Sequence, residues 1–93
     1  MIPRKLGRIA IGSRTIEVWE MPDCRDDAGD PAHGTWHEDK SIIEIHAGDP
    51  PDVKASTLLH ERIHAVSDIY GLGLSEEAVC ALEQGLRQSE TVF

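Results

Sequence analysis

Between Leu6 and Met21 apolar and polar residues alternate on either side of Gly12-Ser13, with the β-branched Ile9, Ile11, Ile16 and Val18 in apolar positions. A period of two is that of a half-buried strand, and Gly-Ser between two such runs reads as a turn. The stretch therefore predicts a hairpin or a pair of short strands. The pattern then breaks. Pro22 to Gly34 carries Asp23, Asp26, Asp27, Asp30 and Pro31, has almost nothing to bury, and predicts a long surface loop. From Thr35 to Ala47 strand character returns. In Ser41–His46, Ile43 and Ile45 share one face while Ile42, Glu44 and His46 share the other, and Glu38-Asp39-Lys40 supplies a turn after Trp36.

The period changes after Gly48-Asp49-Pro50-Pro51-Asp52. Proline early and aspartate near the positive end of the peptide dipoles are helix-start signals. Leu59, Ile63, Val66 and Tyr70 then recur at helical spacing, which predicts a helix to about Tyr70 with those four residues as its buried stripe. Gly71 and Gly73 end it, Ser75 reads as an N-cap, and Glu76 and Glu77 open a last helix carrying Ala78, Val79, Leu82 and Leu86. The expected fold class is α+β: a small antiparallel or mixed β-sheet packed on two helices. No internal repeat or linker interrupts it, so residues 1–93 are expected to form a single domain.

Composition narrows the function classes. The chain has 93 residues, is 40% hydrophobic, and contains only Trp19, Trp36, Tyr70 and Phe93 as aromatics, so its core must rest on Ile, Leu, Val and Ala. At this size the core is small, and a bound metal ion would add to stability. A formal charge of −8 argues against nucleic acid and anionic membranes as partners, since both need clustered Lys and Arg. Cys24 and Cys80 form no Cys-x-x-Cys pair and suggest free thiols in a reducing compartment; with no signal-like or spanning segment, a cytoplasmic location is expected.

The chemistry concentrates in His60-Glu61-Arg62-Ile63-His64. A helical turn is about 3.6 residues, so the two imidazoles stand one above the other and can reach a single cation. Glu61 beside them can act as a general base. Two histidines leave zinc short of a ligand, and a third is expected from a segment folding back onto the motif helix. Glu76 and Glu77 are the candidates. Asp68, four residues past His64, could orient its imidazole, although a solvent-facing role fits it as well. His33 and His37 flank Trp36, where they could hold a second ion or simply be solvated.

Over Ser41 to Leu86 the chain resembles the gluzincins, zinc metallopeptidases with His-Glu-x-x-His and a glutamate ligand on a downstream helix. It is similar in particular to the minigluzincins and to short phage or prophage proteins of metallopeptidase type. The resemblance implies a minimal zincin-like domain with Zn2+ as cofactor, His60, His64 and Glu77 as metal ligands, and Glu61 as the general base of peptide-bond hydrolysis on a peptide or protein substrate. Glu77 is preferred over Glu76 because small or apolar residues follow it, as in the family pattern. The resemblance also implies that Ser41–His46 is a cleft-edge strand that binds extended substrate; an ordinary internal strand fits the same residues equally well. Full-length relatives carry a second subdomain that supplies an oxyanion donor. Here only Tyr70, His46 or Arg62 could substitute. A catalytically weak or inactive binding or regulatory module is the competing expectation.

Overall fold

The computed structural model describes residues 2–89; Phe93 lies outside the described residues. Four strands precede two helices: β1 (Arg4–Ile11), β2 (Arg14–Met21), β3 (Gly34–His37), β4 (Ile42–His46), α1 (Pro51–Tyr70) and α2 (Glu76–Gln88). The sheet is mixed, in the order β1-β2-β4-β3. β1 and β2 form the expected hairpin, with Ile11 opposite Arg14 and Gly12 at φ +59° in the turn. β3 and β4 form a second antiparallel pair, and β2 runs parallel to β4 with Val18 opposite Ile43. This is the α+β architecture the patterning predicts.

The sheet order decides between the two readings of one segment. Ser41–His46 does not supply an edge: β4 pairs with β2 on one side and β3 on the other, so the edge on that side is β3. The reason lies in β4's composition. Ile43 is fully buried and Ile45 nearly so, and a strand this apolar is shielded best between two neighbours.

The core lies where α1 crosses one face of the sheet. Ile16, Ile43, Ile45 and Ala65 form its centre, with Leu58 and Ile69 packed against it. Each such isoleucine contributes about 1.5–3 kcal/mol through burial. The α1 stripe also differs from the expected one. Of Leu59, Ile63, Val66 and Tyr70 only Ile63 is buried, while Tyr70 is 60% exposed; Thr57, Ala65 and Ser67 are buried instead. A helix between a sheet and a second helix has two inner faces. Ala65, with Leu58 and Ile69, meets the sheet core and Thr57 meets β3, Ser67 holds the turn to α2, and Leu59, Ile63 and Val66 line a crevice shared with Leu82 and Leu86 of α2. Among the described residues α2 packs on α1 and on no strand.

Candidate metal centre

His60 and His64 are four residues apart in the middle of α1, and their rings meet edge to face with centroids 4.9 Å apart. Both side chains are largely sheltered, at 20% and 28% exposure. α2 brings a carboxylate to them. The turn between the helices is tightly held: Gly71 caps α1 in the left-handed conformation, the Leu72 amide donates to the Ser67 carbonyl at 2.8 Å, and the Leu74 amide donates to Ser67 Oγ at 2.9 Å. Ser75 Oγ accepts the Ala78 amide at 3.1 Å and starts α2. Glu76, the first residue of α2, then places Oε1 2.8 Å from His60 Nε2 and Oε2 2.8 Å from His64 Nε2.

Glu76 thus stands where Glu77 was expected. Helix geometry explains the substitution. Val79, fully buried, marks the α2 face turned inward. Glu76 lies three residues before it, about 60° away around the helix, whereas Glu77 lies two before it, about 160° away and on the solvent side. Glu77 is exposed.

One donor atom from each of His60, His64 and Glu76 lies within 4.8 Å of the other two. Tetrahedral zinc ligands at about 2.0–2.1 Å from the ion are themselves separated by about 3.3 Å. Two imidazole nitrogens and one carboxylate oxygen are also a donor set that zinc accepts, so these residues fit a divalent ion.

Glu61 lies beside the triad. It lines the same cavity of about 470 Å³ as His64 and Glu76, below the edge strand β3. Burial pushes its carboxyl above the ordinary range; the His60 and His64 charges and the Trp36 backbone amide, which donates to it, hold the rise in check. At Glu76 desolvation also pushes upward, but the charges and hydrogen bonds of His60 and His64 outweigh it and leave the carboxyl below its usual value. The two carboxyls are driven in opposite directions, as expected of one acid that takes up protons and one that stays ionised.

Gly34 carried no signal in the sequence beyond its place in a loop, yet it sets the close approach of β3 to α1. A Cβ there would lie 2.3 Å from Thr57 Cγ2 and 3.3 Å from Glu61 Cγ. Only the absence of that atom lets the edge strand rest directly over the motif helix.

Elsewhere the structure chooses between the alternatives the sequence left open. Asp68 does not reach His64; it accepts the Trp36 indole N–H at 2.7 Å. His33 and His37 form no joint site: His33 Nδ1 lies 2.7 Å from Asp49, and His37 Nε2 lies 2.7 Å from Glu44. None of the three proposed oxyanion donors lines the cavity. Tyr70 packs its hydroxyl end against Gly12, Arg62 faces the apolar crevice, and His46 rests its ring against Gly48. No helix among the described residues is long and apolar enough to cross a membrane.

No family model, curated protein or solved structure matches this chain.

Proposed function

We propose that the protein is a zinc-dependent metallopeptidase of gluzincin type that hydrolyses peptide bonds in a peptide or protein substrate. The observation that carries this reading is the Glu76 carboxylate lying 2.8 Å from both histidine Nε2 atoms, with Glu61 on the wall of the same cavity. His60, His64 and Glu76 would hold the ion. When bound, zinc supplies a Lewis acid that polarises a carbonyl and acidifies water. Glu61 takes a proton from the attacking water and returns it to the departing amine; its sheltered position raises its basicity toward that task. The outer edge of β3 offers main-chain groups to an extended substrate, a role transferred here from β4.

Glu61→Gln is expected to bind zinc like the parent and to lose cleavage of an unfolded protein substrate by at least about a hundredfold. His60→Ala is expected to lose both. Zinc content of the purified variants and a chelator-controlled proteolysis assay read the two effects separately. A glutamine variant as active as the parent would remove Glu61 from the mechanism.

One observation favours a second reading, that of a zinc-holding binding or regulatory module. Tyr70, Arg62 and His46 all lie away from the cleft, and loss of an oxyanion donor typically costs about a hundredfold or more in rate. Bound zinc with no detectable cleavage of any unfolded substrate would favour the module.

A further inference from the structure

Apolar packing alone holds α2 loosely on α1. Among its described residues only Val79 is buried, and Leu82 and Leu86, which share the crevice with α1, stay 44% and 54% exposed. Such contacts are non-directional and tolerate more than one alignment of two helices. The polar contacts are stricter. Glu76 meets His60 and His64, and Ser56 Oγ of α1 donates to Glu83 Oε1 of α2 at 2.6 Å. Ser56, His60 and Glu83 line one cavity of about 240 Å³, so this second contact stands beside a residue of the triad.

The two contacts fit one register of antiparallel helices. Glu76 stands level with the midpoint of His60 and His64, which is six residues from Ser56, or about 9 Å along α1. Glu76 and Glu83 are seven residues apart, or about 10.5 Å along α2. Sliding α2 by one turn, about 5.4 Å, would break both contacts and leave the Glu83 carboxylate without its donor.

Strength is not what the Ser56–Glu83 pair supplies. The Glu83 side chain is only 12% exposed, its Oε2 makes no hydrogen bond, and its ion pair with Arg87 Nη1 is long, at 3.7 Å. Withdrawing a carboxylate from water for one hydroxyl donor returns little net stability, and an apolar pair of similar size would hold the helices as well or better. What a buried polar pair adds is alignment.

Resting on the zinc reading of the triad, we propose that Ser56 and Glu83 are positioning residues of the metal centre: their hydrogen bond pins α2 in the register that sets the Glu76 carboxylate across both imidazoles before an ion arrives. Part of the affinity for zinc is then fixed by a pair that lies outside the ligand set.

Ser56→Ala/Glu83→Leu tests this by exchanging the polar pair for an apolar contact. In the metal-free protein its urea midpoint is expected at or above that of the parent, while its zinc affinity, read by competition with a chromophoric chelator, falls about tenfold. Cobalt bound in place of zinc should show an altered visible band, because a displaced Glu76 changes the donor geometry. Glu83→Gln, whose amide oxygen still accepts the Ser56 hydroxyl, should keep the parent's band and stay within about twofold of its zinc affinity. Parent-like zinc affinity in the double variant overturns the proposal. So does an equal loss in Glu83→Gln, which would assign the effect to charge, or a fall in affinity matched by a fall in metal-free stability, which a weaker helix contact would explain. A parent that binds neither ion overturns the zinc reading and this proposal together, whereas a parent and double variant that bind zinc alike overturn the register pin alone.

Discussion

The histidine pair could be read directly from the chain because its geometry depends only on the helix that carries it. Residues four apart share a face in any α-helix, and α1 places His60 and His64 side by side as the motif requires. The third donor was not legible in the same way. Glu76 and Glu77 are both first-turn acids beneath the same N-cap, and sequence order alone treats them alike. What separates them is the side of α2 that meets α1, marked by buried Val79 and by Ser56 donating to Glu83 at 2.6 Å two turns further along. Glu76→Ala is therefore expected to weaken zinc binding by at least about tenfold to a hundredfold, a range that loss of outer partners of a metal ligand already reaches. Glu77→Ala should stay within about twofold. Competition against a chromophoric chelator measures both; an equal loss in the two variants would contradict the placement of α2.

At the level of elements, alternation identified the strands and helical spacing identified both helices, yet neither pattern says which strand lies on an edge. β4 ends between β2 and β3 because Ile43 and Ile45 need cover that an edge cannot provide, and the short β3 is left outside. The buried stripe of α1 was misplaced for a related reason. Amphipathic periodicity locates one apolar face, whereas α1 is covered on two sides: Ala65 and Thr57 lie against the sheet, and Ser67 is buried under the turn to α2, where it accepts the Leu74 amide. Gly34 is the counterpart of that closeness on β3. Gly34→Ala introduces a Cβ 2.3 Å from Thr57 Cγ2 and 3.1 Å from the Glu44 carbonyl oxygen, so β3 must shift. A loss of about 1–3 kcal/mol in stability is expected, read as a lower urea midpoint with unchanged slope. Glu61 Cγ lies 3.3 Å from the same point, so the shift is expected to reach the wall of the cavity beside the triad as well.

For the whole molecule the consequence is a link between site and stability. Among the described elements the backbone of α2 comes close only to α1, and Glu76 meets His60 and His64 across that contact. An ion held there would bridge the helices and bind the folded chain in preference to the unfolded one. At a hundredfold excess over its dissociation constant such a ligand adds about 2.7 kcal/mol. In a domain of this size that raises Tm by roughly 10–20 °C. Thermal unfolding in zinc, in chelator, and in chelator followed by excess zinc should show the rise, its loss and its return. The Glu76→Ala protein should show little of it. An unchanged Tm in the parent would mean that the triad does not bridge the helices.

Taken by itself, the order of residues determined the strands, the helices and the face shared by His60, Glu61 and His64. Each of these follows from steric and hydrogen-bonding preferences acting within about one turn of helix or one pair of adjacent strands. Tertiary structure decided that Glu76 rather than Glu77 meets the imidazoles and that β3 rather than β4 edges the cleft. Those outcomes depend on how far apart and at what angle separate elements pack, and buried side chains such as Val79, Ile43 and Ile45 set that packing through partners distant in the chain.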